Sequence, residues 1–231
     1  MKAALIVVDM QEDFCPPHGS LAVHGARALA PTINTLLAHP GFAVRVASQD
    51  YHPPNHISFA SNHPFPNNCP FVCSITMANP GFGRESETKQ QTLWPVHCVQ
   101  QTRGADIIRE LDTTNIDLFV QKGMDPRVEM YSAFADAFGN QDPAIVSVNA
   151  NLRAYLTDRG VTDVFVVGVA GDFCVKHTAL DAAKAGFQSY VVQDATECVV
   201  PGLGWEETTR ELDSAGVFIV RSDGPEIAGL A

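Results

Sequence analysis

Short apolar runs rich in β-branched residues recur at roughly the spacing of βα units, over residues 3–8, 42–48, 117–121, 163–169, 189–193 and 217–220. Two of them, Ala3-Ala4-Leu5-Ile6-Val7-Val8 and Val164-Phe165-Val166-Val167-Gly168-Val169, are apolar throughout, as strands covered on both faces are. Helical patterns lie between several of the runs, over 26–37, 151–159, 175–185 and 205–214. The last two meet glycine stops at Gly186 and Gly216, each opening directly into the next run. This alternation predicts one doubly wound α/β domain over residues 1–231, with helices on both faces of the sheet. The sheet is expected to be six-stranded and mostly parallel, in the order 3-2-1-4-5-6.

One stretch breaks the rhythm. Residues 51–92 show no helical period and no long strand, and are rich in Pro, Asn, His and Ser. Inside a compact domain such a segment reads as a functional loop. It leaves the second strand, which places it at the carboxyl edge of the sheet, where open α/β folds bind ligands.

Composition then narrows the partners. The chain carries 15 Lys+Arg against 26 Asp+Glu, a formal net charge of −11. That field repels nucleic acid and anionic membrane surfaces and suits a small, neutral or weakly charged ligand. The N-terminal apolar run stops at Asp9 without a cleavage site, and no run approaches the ~20 apolar residues of a membrane span. The expectation is an intracellular, cytoplasmic protein whose six cysteines are thiols. Homo-oligomerisation is left open by these features.

The residues closing the strands carry the chemistry. Asp9 closes the first, Asp50 the second and Lys122 the third, while the fourth runs through Gly168-Val169-Ala170-Gly171-Asp172-Phe173-Cys174 into a helix. In a parallel sheet these ends share one edge, so two carboxylates, a lysine and a thiol converge. Cys174, at a helix start, is expected to shift toward thiolate, and the N–H groups there could hold an oxyanion. Lys122 reads as the partner of Asp9, either a structural ion pair or one that moves a proton. Asp50 and His52 face the same way on an extended chain, and His97 adds a second imidazole beside Pro95. One carboxylate and two imidazoles leave open positions on a Zn, Fe or Mn ion, although a D-x-H pair also arises from capping or surface hydrogen bonds. His56 is either a fourth ligand or a residue that orders the loop. His18, His24, His39, His63 and His177 have no cluster and read as solvated, and Cys69 and Cys73 read as loop residues.

These segments resemble the isochorismatase-like cysteine hydrolases through Val7-Val8-Asp9-Met10-Gln11-Glu12-Asp13-Phe14. The nicotinamidases among them are matched by Gly19-Ser20-Leu21-Ala22-Val23, by Gln49-Asp50-Tyr51-His52-Pro53 with His56-Ile57-Ser58-Phe59, and by Leu93-Trp94-Pro95-Val96-His97-Cys98-Val99. Gln121-Lys122-Gly123, Glu129-Met130-Tyr131-Ser132-Ala133-Phe134 and the Gly168-to-Val175 turn also match. The resemblance implies hydrolysis of nicotinamide, and of pyrazinamide, to the acid and ammonia in NAD salvage. It makes Cys174 the nucleophile, Asp9 the proton carrier and Lys122 the group that orients them. It assigns Asp50, His52 and His97 to one divalent metal, zinc first with iron or manganese as alternatives, which engages the pyridine nitrogen. It also implies a cis peptide at Val169–Ala170, oxyanion donors at the Ala170 and Cys174 N–H groups, and a ring pocket walled by Phe14, Leu21, Trp94 and Tyr131 with Ala170. The rival substrates on the same fold are isochorismate-like ethers and N-carbamoyl compounds, and a non-catalytic ligand-binding protein is the rival of another class. Tyr51 and Gln101 depart from the Trp and Gly usual at their positions, and altered packing is expected there.

Overall fold

The two continuous apolar runs form the centre of the sheet: β1 (Ala3–Val8) is buried along its whole length. The computed structural model describes residues 1–140 and 144–230. Further strands are β2 (Phe42–Asp50), β3 (Ser74–Ala78), β4 (Thr88–Thr92), β5 (Leu118–Lys122), β6 (Asp163–Val169), β7 (Gln188–Glu197) and β8 (Phe218–Val220). The main sheet runs β5-β2-β1-β6-β7-β8, and each neighbouring pair is parallel. Numbered within that sheet alone, the order is 3-2-1-4-5-6. Numbered along the chain it differs, because β3 and β4 form a separate antiparallel hairpin.

That hairpin adds two five-residue strands to the stretch 51–92, whose sequence reads as a loop with no long strand. Its first strand, Ser-Ile-Thr-Met-Ala, alternates for only five residues, and its second, Thr-Lys-Gln-Gln-Thr, is polar throughout; only Met77 and Gln91 are buried, so the pattern is too short to announce it.

Successive side chains of β1 enter opposite cores, as strand geometry requires. Ala3, Leu5 and Val7 join Ile33, Leu36 and Leu37 of α1 (Ala30–Ala38) on one face. Ala4, Ile6 and Val8 join the other face. There they meet Leu152 and Leu156 of α2 (Leu152–Asp158), Ala179 and Ala182 of α3 (Lys176–Lys184), and Leu212 of α4 (Leu203–Ser214). The helical pattern at 26–37 divides into a 3-10 turn over Ala26–Leu29 followed by α1, whose first turn holds Pro31, the place where a missing N–H costs nothing. A short α5 (Pro225–Ala228) closes the chain against the first core through Ile227. No described helix is long and apolar enough to cross a membrane.

The chain reverses its winding between β2 and β6, on either side of β1. A crevice at the carboxyl ends of these strands is the expected ligand position.

Candidate active site

Four strand ends deliver the site. Asp9 follows β1 with φ of 49°, and its N–H donates to the Ser48 carbonyl of β2 at 3.2 Å. Asp50 and Lys122 stand directly opposite one another in the β2–β5 register. Cys174 lies in a π-helical turn over Gly171–Val175, between β6 and α3, instead of in the first turn of a regular α-helix. The Val169–Ala170 peptide is cis, as the resemblance implied. Upstream of it Gly168 has φ of 107°, and a Cβ there would lie 2.2 Å from the Val8 carbonyl oxygen, so only glycine lets β6 lie this close to β1.

Lys122 is the hub. Its Nζ lies 2.9 Å from Asp9 Oδ2 and 3.5 Å from Cys174 Sγ, and it donates to Asp50 Oδ1 and to the Met130 carbonyl at 3.3 Å. The side chains of Lys122 and Asp9 are fully buried. Burial by itself would strip the Lys122 proton, but Asp50 and Asp9 overcome that and hold its pKa well above the ordinary value. Burial also pushes the Asp9 carboxyl up, outweighing the pull of Lys122. For Asp50 the balance reverses: burial opposes ionisation, yet Lys122, with His52 and His97, holds the carboxyl well below its usual range.

The expected resting thiolate is corrected by this environment. Burial raises the Cys174 thiol well above its ordinary pKa; Lys122 offsets part of that, and the two carboxylates add to it.

The second oxygen of Asp50 faces two imidazoles, with Oδ2 at 3.5 Å from His52 Nε2 and 3.7 Å from His97 Nε2. Each ring is turned by a backbone carbonyl: His52 Nδ1 is 2.8 Å from the Gly123 oxygen, and His97 Nδ1 is 2.7 Å from the Pro95 oxygen. Since a carbonyl only accepts, both Nδ1 atoms carry hydrogen, and in the neutral rings the Nε2 lone pairs are left on the Asp50 side. His52 Nε2 is buried with no hydrogen-bond partner among the described residues. Three ligand atoms within 4.8 Å of one another, one of them an orphaned buried nitrogen, fit a single divalent cation.

His56 does not join them. Its Nδ1 lies 2.8 Å from Ser58 Oγ and its Nε2 3.2 Å from the Val128 carbonyl, while its ring stacks on His52 at 4.0 Å. It orders the loop. A further grouping of His52, His56 and Glu129 is equally committed, because Glu129 accepts the Met130 N–H at 2.9 Å and the Gln91 amide at 3.3 Å.

Phe14, Leu21, Trp94, Tyr131 and Ala170 all line one cavity with Asp50, His97 and Cys174. Phe173 and Val199 line it too, and neither was anticipated. Phe173 precedes the nucleophile in sequence, a placement that could have marked it; Val199 carries no such signal. Ser48 was also missed. It donates to Asp9 Oδ1 at 2.7 Å, and its position two before Asp50, on the same strand face, was the available clue. Gln11 clamps Asp50 through the backbone, accepting its N–H and donating to its carbonyl, both at 2.8 Å.

His177 corrects another expectation. It stacks on Tyr131, with ring centroids 5.4 Å apart, and burial lowers its pKa to about 4. The two departures from the usual motif meet each other: Gln101 has φ of 62°, and its N–H donates to the Tyr51 hydroxyl at 3.2 Å.

Known proteins align with this architecture. The isochorismatase domain family matches residues 3–222. A nicotinamidase of Acinetobacter baylyi is 40% identical over 219 residues, covering 95% of this chain and 92% of that protein. The structure of the yeast nicotinamidase bound to the inhibitor nicotinaldehyde superposes with a TM-score of 0.85 at 33% identity, covering 95% of this chain and 99% of the other. A pyrazinamidase of Pyrococcus horikoshii in complex with zinc gives a TM-score of 0.71 at 32% identity, covering 96% and 99%. With this edge of acid, lysine and thiol, and with likeness running through nearly its full length, the chain belongs to the isochorismatase family, as an amidohydrolase of the nicotinamidase type.

Proposed function

We propose that this protein hydrolyses nicotinamide to nicotinate and ammonia, with pyrazinamide as a second substrate, and that residues 1–231 act as one catalytic domain. The observation that carries the reading is the placement of Lys122 Nζ 2.9 Å from Asp9 and 3.5 Å from the Cys174 sulfur, at a cavity walled by aromatic rings. The raised Asp9 carboxyl suits a group that must both accept and return a proton.

Asp9 takes the Cys174 proton, and the sulfur attacks the carboxamide carbon. The carbonyl oxygen becomes an oxyanion facing the N–H groups of Ala170 and Cys174. Each such donor is worth about 2.7–4 kcal/mol in comparable sites. Asp9 then returns its proton to the departing nitrogen, ammonia leaves, and a thioester on Cys174 remains. Water deprotonated by Asp9 attacks the thioester, nicotinate departs, and the proton returns to sulfur. Lys122 stays charged throughout and keeps the carboxylate and sulfur within reach of each other.

Asp50, His52 and His97 would hold a divalent metal, zinc in the first instance, whose Lewis acidity would anchor the pyridine nitrogen. In a cell this activity would serve pyridine-nucleotide salvage.

Ammonia release from nicotinamide tests the reading. Activity is expected in the wild type, loss on chelation with recovery on adding one divalent ion, and a drop of roughly 10⁴-fold or more in Cys174→Ala. Ammonia release surviving in Cys174→Ala would overturn it.

A further inference from the structure

Asp172 lies in the same turn as Cys174, two residues before it. Its carboxylate is buried and reaches across to the connection between β7 and α4: Oδ1 accepts the Val199 N–H and Oδ2 the Val200 N–H, both at 2.9 Å. Bonds to a charged acceptor are strong, and both oxygens are used here on one short piece of backbone. The start of α4 closes on the same group. A Cβ at Gly204 would lie 2.9 Å from Asp172 Oδ2 and 3.1 Å from Val200 Cβ, so a side chain there would force the clamp apart. Turn and connection also interlock at Gly171, where a Cβ would lie 2.7 Å from Cys198 Sγ. Burial first, and the Asp172 charge second, push the Cys198 thiol up to about 12, so it packs there as a neutral group.

The two gripped residues differ in their surroundings. Val199 lines the cavity that holds Cys174 and Ala170, and it packs against the apolar cluster that includes Phe14, Leu21 and Trp94. Val200, the next residue, is exposed. The carboxylate therefore holds the connection at the point where the chain passes from cavity wall to surface. Because Asp172 and Cys174 belong to one five-residue turn, that wall and the nucleophile are fixed to the same backbone. We propose that Asp172 is a positioning residue for the ligand cavity: through its grip on the β7–α4 connection it sets where Val199 stands relative to the Cys174 sulfur, and so how tightly a ligand ring is held. Asp172 acts at one remove, through Val199.

The inference rests on the functional reading above for its ligand class, a pyridine carboxamide or carboxylate. Nicotinate binding by calorimetry and kcat for ammonia release are measured on metal-loaded wild type, Asp172→Asn, Val199→Ala and the double variant. Asp172→Asn keeps the size of the side chain but leaves only one oxygen to accept from the two N–H groups. It should weaken nicotinate binding about tenfold while kcat changes by less than about threefold. Val199→Ala should weaken binding about fivefold. The double variant should bind no more weakly than the more affected single one, since both changes remove the same wall contact. Gly204→Ala spreads the clamp from the α4 side and should cost about threefold in binding. It decides the matter should Asp172→Asn fail to fold, and unchanged nicotinate binding in it then overturns the inference. Losses that multiply in the double variant, or a fall in kcat with nicotinate bound as tightly as in wild type, also overturn the inference and leave ammonia release by the wild type standing. Wild type that neither binds nicotinate nor releases ammonia overturns this inference and the functional reading together.

Discussion

Lys122 and Asp50 are paired in register at the ends of adjacent parallel strands, and the lysine donates to one carboxylate oxygen while the other faces His52 and His97. One carboxylate thus belongs to both the thiol side and the imidazole side of the site. Removing the lysine leaves two buried acids without their cation. Lys122→Met is expected to lose about 3–5 kcal/mol of stability, measured by urea unfolding, together with nearly all ammonia release.

Gly123 follows the lysine with φ of 66°, and a Cβ there would lie 2.4 Å from His52 Cε1 and 2.6 Å from its Nδ1. Gly123→Ala must push that ring away from Asp50. Metal affinity is expected to fall about 10- to 100-fold, read from competition with a chromophoric chelator. Unchanged affinity would remove His52 from the ligand set.

Ser48 lowers the pKa of a carboxyl that burial has raised, by donating to Asp9 Oδ1. Ser48→Ala should raise the Asp9 pKa further. The reaction begins with Asp9 ionised, so the acidic limb of the kcat/KM profile should move to higher pH, with about a tenfold loss below it.

His52 titrates against the metal. Burial disfavours its charged form, but Asp50 outweighs this and raises the imidazole above its ordinary 6.5. A metal binds only the neutral ring, so apparent affinity should fall as pH drops through the raised pKa, with proton release on binding. Calorimetry in buffers of different ionisation heat reads that proton directly.

His177 gives a second pH signature, away from the reacting atoms. Its pKa is about 4 in the folded protein against an ordinary 6.5, so the unfolded chain takes up the proton first as pH falls. Its stabilising contribution is complete above about pH 6.5 and is lost progressively toward pH 4. Because the ring is only partly enclosed, the loss should be about 2 kcal/mol instead of the full linkage value. His177→Gln should flatten that part of the pH–stability curve relative to wild type.

The strand ends were legible because topology does the convergence: apolar runs at 3–8 and 163–169 can only be central strands, and whatever terminates them must share an edge. Asp9, Asp50, Lys122 and Cys174 could be found on that ground alone. The hairpin could not, since one five-residue strand is polar throughout and the other alternates too briefly to stand out. His177 escaped for a related reason: nothing in the sequence near it reveals that Tyr131, 46 positions earlier, lies under its ring. The charge state of Cys174 depends on burial and on two acids from other strands, quantities that exist only after folding.

The direct pairing of Asp50 with Lys122 has a consequence for how the molecule reports on itself. A slip of one residue between β2 and β5 would turn Lys122 to the opposite face of the sheet and leave Asp50 facing Gln121 or Gly123. Partly folded or misaligned chains would keep much of their apolar burial and still lack any trace of the site. Turnover is therefore a gauge of strand alignment in this chain, more discriminating than helix content or compactness as a measure of correct refolding.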